Sequence, residues 1–137
     1  MIDVDHLKKI NDTYGHVMGD RALEAMGRLL LEVRASDVVA RYGGDEFIVL
    51  MPDTTLDEAE AVADRIRQRL DRFNEEREFQ FPLSASIGVR QMTNVDTDIV
   101  AEADAAMYHD KRSRREEGDP LRQSVEKELV AARSSTD

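Results

Sequence analysis

The chain has 137 residues, enough for one compact domain with a real core and too few for two. Its 41% hydrophobic and 35% charged residues make a globular composition, and the net charge of −10 argues against a general polyanion-binding surface. Phosphate, if bound at all, is then held locally by metal ions, backbone N–H groups or a few placed cations. The absence of cysteine excludes disulfides and thiolate metal sites and fits a reducing cytoplasm, which is the expected location. No apolar run is long enough to span a bilayer, and Asp3 and Asp5 stand where a secretory leader needs a basic start and an apolar stretch.

In chain order, the alternation of Ile2 and Val4 with Asp3 and Asp5 predicts a strand end. Asp5 reads as the N-cap of a short helix over 6–12, which Tyr14-Gly15-His16 breaks. Leu23, Met26, Leu30 and Val33 recur at helical spacing and predict a helix over 17–33. Residues 37–52 read as a hairpin: Val38-Val39-Ala40, then Tyr42-Gly43-Gly44-Asp45, then the β-rich Phe47-Ile48-Val49-Leu50-Met51. Asp53-Thr54-Thr55 caps a helix over 56–73 with Ala59, Val62, Ile66, Leu70 and Phe73 on one stripe. A strand is expected over 81–91 and a helix over 98–111. Glu116-Glu117-Gly118 is a break, Asp119-Pro120 an N-cap with proline at the first helical position, and Leu121, Val125, Leu129 and Ala132 a narrow stripe. The order β-α-α-β-β-α-β-α predicts an α/β or α+β domain over 1–115, with 116–137 as a helical tail or linker.

Two places carry chemistry. Arg41-Tyr42-Gly43-Gly44-Asp45-Glu46-Phe47 puts two glycines at a hairpin tip, where they let another group approach the backbone, and two acids directly after. An ordinary glycine turn with solvated acids accounts for that hairpin equally well. Asp3 ends a strand, a common place for a Mg²⁺ ligand, although a solvated strand end is the plainer account; Lys8 lies one turn into the next helix, within reach of a phosphate. If the two strands are antiparallel neighbours, Asp3 and Asp45 come together. Paired carboxylates repel unless a cation sits between them, and a divalent cation there suits nucleotide phosphates.

These residues resemble the GGDEF family, the diguanylate cyclases. Beyond Gly43-Gly44-Asp45-Glu46-Phe47, the likeness runs through Ile2-Asp3-Val4-Asp5-His6-Leu7-Lys8, Asn11-Asp12-Thr13-Tyr14-Gly15-His16 and Gly19-Asp20. It continues through Leu83-Ser84-Ala85-Ser86-Ile87-Gly88-Val89 and Ala103-Asp104-Ala105-Ala106-Met107-Tyr108, covering residues 2 to about 115. The resemblance implies a nucleotidyl-cyclase fold with a ferredoxin-like βαββαβ core and a mainly antiparallel sheet covered by helices. It implies condensation of two GTP into cyclic di-GMP with release of two pyrophosphates. By resemblance, Asp3, the Val4 carbonyl and Asp45 hold Mg²⁺ or Mn²⁺, with Glu46 assisting, and Asp45 is also the general base for the 3′-hydroxyl. Asn11 and Asp20 read guanine, His16 lies near the base, Gly43 and Gly44 leave room for the nucleotide, and Lys8, Lys111 and Arg115 meet phosphates. Each chain holds one GTP, so a two-fold homodimer is the implied active unit. Arg34-Ala35-Ser36-Asp37 falls in the register of the family's RxxD product-inhibition site, and arginine can fork to guanine O6 and N7. No nucleic-acid polymer or membrane contact is expected, while a flanking sensor or effector domain is expected in the parent protein.

The chain departs from the family at Arg114 and Glu116, which stand where the family's last motif has glycine and asparagine. If that glycine serves a turn with positive φ, Arg114 is expected to strain it or to displace Arg115. Family domains also begin further upstream of the strand containing Asp3, so a fragment or an incomplete start is expected. The competing reading is a weak or inactive GGDEF module that binds GTP or cyclic di-GMP and regulates a neighbouring domain; intact Asp45 and Glu46 favour the enzyme.

Overall fold

β1 (Ile2–Val4) is buried at every position and runs through the middle of the sheet. The structure, a computed structural model, describes residues 1–118 and 120–135. The sheet order is β2 (Val38–Arg41), β3 (Glu46–Leu50), β1 and β4 (Ala85–Ile87), antiparallel at each pairing. With helices between β1 and β2 and between β3 and β4, this is the ferredoxin-like βαββαβ arrangement of an α+β nucleotidyl-cyclase-like fold. The register places Asp3 opposite Glu46 on one side and Ser86 on the other.

α1 (Leu7–Tyr14) and α2 (His16–Leu30) are divided by Gly15, whose φ of 89° is open mainly to glycine. α2 stops at Leu30, a turn before the expected 33. Arg69 reaches over from the next helix and donates to the carbonyls of Leu29 at 3.5 Å and Glu32 at 2.8 Å. The first is a last-turn carbonyl of the kind a helix end leaves unpaired, and the second lies just past the end. α3 (Leu56–Glu75) starts at a complete capping box: Thr55 Oγ1 accepts from the Glu58 N–H, and Glu58 accepts from the Thr55 N–H. The helix buries Ala59, and its Val62, Ala63, Ile66 and Leu70 join Ala22, Leu23, Met26 and Leu30 of α2 against the sheet.

β4 is shorter than the strand expected over 81–91. Leu83 is buried, but its backbone N–H and carbonyl pair with the Asn74 side chain at 2.8 and 2.9 Å rather than with a ladder. α4 (Ile99–Glu116) opens on the Asp98 carboxylate, which accepts from the Ala101 N–H. It packs so tightly on β4 that a Cβ at Gly88 would lie 2.1 Å from the Met107 nitrogen. α4 also runs five residues past the expected end at 111.

α5 (Pro120–Ser134) buries Val125 and Leu129 in the same core, and Lys9 of α1 pairs with Glu126 at 3.2 Å. Asp119, the expected cap, lies outside the described residues. A cavity of about 600 Å³ opens beside Met1, between Ile48–Leu50, Val89 and Ala103, with none of Asp3, Asp45 and Glu46 in its lining. Among the described residues no helix is long and apolar enough to cross a membrane.

Candidate functional site

The strand end and the hairpin tip meet as the sequence predicts. The Val4 N–H donates to the Asp45 carbonyl at 2.8 Å, which ties the tip to β1 and brings Asp3, Asp45 and Glu46 to one end of the sheet. Asp3 is only 5% exposed. Lys111 Nζ donates to its Oδ2 at 2.7 Å, while its Oδ1 is buried without a hydrogen-bond partner. Burial pushes the Asp3 carboxyl up to about 6, against the pull of the Lys111 ammonium, and the Asp45 carboxylate raises it further. Burial also raises Glu46, with Asp104 of α4 and then Asp45 adding to it. Asp104 is thus a member of the acidic end that sequence reading did not single out. Its signal was present, since it lies seven residues, two helical turns, before Lys111.

An orphaned, buried carboxylate oxygen beside a second carboxylate is a hard donor set that fits Mg²⁺ or Mn²⁺. Such ions need only one or two protein carboxylates and fill the rest with water and phosphate oxygen. Among the described residues no three His, Cys, Asp or Glu side chains are gathered as a metal site. Asp3, Asp45 and Glu46 therefore do not form a three-carboxylate cage, and Glu46 is influenced more by Asp104 than by Asp45.

The raised Asp3 value has a stability consequence for the metal-free protein. Between the ordinary value of 3.8 and the folded value of about 6, the native state binds the extra proton. The Asp3 contribution is therefore most favourable below that window and is lost as pH rises through it. Urea melts in chelator should show wild type losing more stability than Asp3→Asn between pH 4 and 7; parallel profiles would remove Asp3 as the source.

Asp5 is not the expected N-cap. His6 takes that position with a φ of 60°, and no side chain caps α1. The Asp5 carboxylate turns inward and is fully buried, accepting from Ser84 Oγ at 2.6 Å, Ser86 Oγ at 2.8 Å and Arg114 Nη1 at 3.3 Å. Donors on β4 and α4 outbid the exposed helix end. Arg114 also bonds Ser84 Oγ at 3.0 Å and the Ala85 carbonyl. It sits inside α4 with no positive φ, so the expected strain does not arise; the positive φ falls later, at Gly118. Lys111, one turn earlier on α4, is held over Asp3, while Arg115 is exposed.

Asn11 lies half-buried on α1, and His16 and Asp20 are exposed on the first turns of α2. Lys8 is exposed on the first turn of α1. Arg41 braces the hairpin tip, donating to the carbonyls of Gly43 at 3.1 Å and Gly44 at 2.6 Å. Neither glycine has a positive φ, and a Cβ on Gly44 would meet nothing within 4 Å. Nothing inside the protein therefore demands the pair.

Arg34 and Asp37 sit in the α2–β2 connection, apart from the acids. The guanidinium contacts both Asp37 oxygens, at 3.4 and 3.3 Å, and also bonds Thr54 Oγ1. Asp37 has a buried side chain, while Arg34 is half exposed.

The sequence model described as "Diguanylate cyclase, GGDEF domain" matches residues 1–117. Diguanylate cyclase A of Treponema denticola is 41% identical over 125 residues, spanning 84% of this chain and 32% of that protein. Response regulator PleD of Caulobacter vibrioides is 43% identical over 106 residues, 77% of this chain and 21% of PleD. The chain thus spans a third or less of these curated relatives. Among solved structures, the GGDEF domain of DgcB from Caulobacter crescentus in complex with c-di-GMP superposes with a TM-score of 0.71 at 27% identity, covering 82% of this chain and 68% of that one. Diguanylate cyclase SiaD from Pseudomonas aeruginosa, in complex with its activator SiaC, gives 0.68 at 35% identity, covering 82% and 45%.

Proposed function

Because the chain belongs to the GGDEF family of diguanylate cyclases, we propose that it condenses two GTP into cyclic di-GMP and releases two pyrophosphates. The observation that carries this reading is the hydrogen-bonded junction of β1 with the hairpin tip, which sets Asp3 and Asp45 together beside the Lys111 ammonium.

In this reading Asp3, Asp45 and the Val4 carbonyl, with Glu46 adjacent, hold Mg²⁺ or Mn²⁺. The ion, when bound, neutralises phosphate charge and favours the ionised attacking oxygen. Asp45 accepts the proton of the 3′-hydroxyl. That oxygen attacks the α-phosphorus of the facing GTP, the α–β phosphoanhydride bond breaks, and pyrophosphate leaves. Lys8, Lys111 and Arg115 balance the charge gathering on the phosphates. Lys111 then exchanges Asp3 for a phosphate oxygen. Gly43 and Gly44, unneeded by the fold, leave the nucleotide room against the backbone. Asn11 and Asp20 read the guanine edge, with His16 nearby. One chain carries one such set, so two chains face each other across a two-fold axis for both bonds to form. Incubation with GTP and Mg²⁺ followed by nucleotide chromatography tests the reading; no cyclic di-GMP from wild type at high protein concentration would refute it.

A nucleotide-binding module without turnover is the second reading, favoured by the 2.7 Å Lys111–Asp3 pair that metal binding must disrupt. Titration with GTP in that case gives binding without product.

Arg34 and Asp37 form the product-inhibition site in this reading, and the DgcB complex with c-di-GMP supports ligand binding of that class in the fold. Arg34→Ala should weaken cyclic di-GMP binding by about 1–3 kcal/mol, the worth of a bidentate contact to guanine. Turnover should persist or rise, because the connection is separate from Asp3 and Asp45. Isothermal titration decides it: equal affinities would leave Arg34 as a brace for Asp37 and Thr54 alone.

A further inference from the structure

Asn11 and Asp20 belong to different helices, and the residue that lets α2 close on Asn11 is Gly19. It is buried on α2 beside α1. A Cβ placed on it would lie 1.7 Å from Asn11 Oδ1 and 2.8 Å from Asn11 Cγ. The Asn11 amide therefore occupies the space that any other side chain at position 19 would fill. Helix propensity argues against glycine here, since in a helix interior it is less favourable than alanine. The gain must lie in where it allows Asn11 to sit.

That seat is not one the fold rewards. Asn11 Oδ1 is buried there with no hydrogen-bond partner in the protein. A buried acceptor without a donor is destabilising, so a purely structural asparagine would turn to find one. The missing donor is supplied by a ligand in which N–H groups line one edge, and guanine presents such an edge through N1–H and the exocyclic amine.

Resting on the reading of this site as a guanine-nucleotide site, we infer that Gly19 sets its base selectivity by seating Asn11. It is a positioning residue and touches no substrate itself. Gly19→Ala evicts the Asn11 amide and leaves Asp20, the next residue, in place. Base discrimination falls while the helix, if anything, gains propensity.

The test uses the full chain with Mg²⁺ and the α,β-methylene analogues of GTP and ATP, which bind without cleavage at the α–β position. Affinities are measured for wild type, Gly19→Ala, Asn11→Ala and the double variant, with a thermal melt of each. Gly19→Ala should weaken the GTP analogue about tenfold and leave the ATP analogue nearly unchanged, as should Asn11→Ala, the scale of one lost hydrogen bond in a desolvated site. The double variant should be no weaker than Asn11→Ala, because alanine at 11 has no amide to displace. It should also melt no lower, which keeps the test open if Gly19→Ala alone folds poorly. Unchanged affinity in Gly19→Ala, a further loss in the double variant, or a wild type that binds both analogues alike would overturn the inference. A wild type that prefers the GTP analogue yet forms no cyclic di-GMP from GTP would refute the cyclase reading and leave this one standing.

Discussion

In the proposed reading, Asp45→Ala should abolish cyclic di-GMP formation while the sheet stays folded. The substitution takes away a proposed metal ligand and the proposed proton acceptor together. Loss of general-base help alone accounts for about 10²–10⁴ in rate, and loss of a carboxylate at the ion adds to it. The fold survives because the tie between the tip and β1 is the Asp45 carbonyl, which accepts from the Val4 N–H and is kept by alanine. The carboxylate itself raises Asp3 and Glu46, so its removal relieves repulsion in the metal-free state. Chromatography of a GTP incubation and a thermal melt are sufficient. A variant with wild-type turnover would show that neither the metal nor the proton is held at residue 45.

Asp5→Ala produces the largest stability loss. The fully buried carboxylate serves three donors from two elements, Ser84 and Ser86 around β4 and Arg114 on α4. Alanine leaves two buried hydroxyls without this acceptor and takes from a largely buried guanidinium the nearer of two carboxylates, Asp5 at 3.3 Å against Asp110 at 4.0 Å. Breaking a buried pair from one side costs about 3–5 kcal/mol, a large part of the 5–15 kcal/mol typical of a domain. In urea the midpoint should fall accordingly. The double variant Asp5→Ala with Arg114→Gly should lose less than the two single losses added, since the partners share one network. A loss below about 1 kcal/mol for Asp5→Ala would mean that water replaces the carboxylate and that the network does not secure α4.

Legibility followed the range of the interactions. The cap at Thr55, the break at Gly15 and the stripe of α3 are read correctly because each is decided within a few residues. The same local logic misreads Asp5. An aspartate just before a helix is an ordinary cap, and only Ser84 and Ser86 at and just before β4, some 80 residues away, supply the hydroxyls that draw it inward. The run from Phe81 to Gln91 reads as one strand, yet Asn74 occupies the backbone of Leu83 and pairing on the β1 side covers Ala85 to Ile87. Arg114 looks like a damaged glycine turn, and proves to be a helical residue aimed at Asp5.

The element order, the family motifs and the acids at a strand end and a hairpin tip were determined by the sequence alone, because periodicity, turn chemistry and motif spacing are local properties. The tertiary structure decided which acid faces the Lys111 ammonium, which acid is buried against Arg114, and that Gly19 opens a seat for Asn11. Those outcomes depend on the register of β1 against its neighbours and on how closely α2 and α4 pack. Register and packing are set by the sum of distant contacts, which no window along the chain contains.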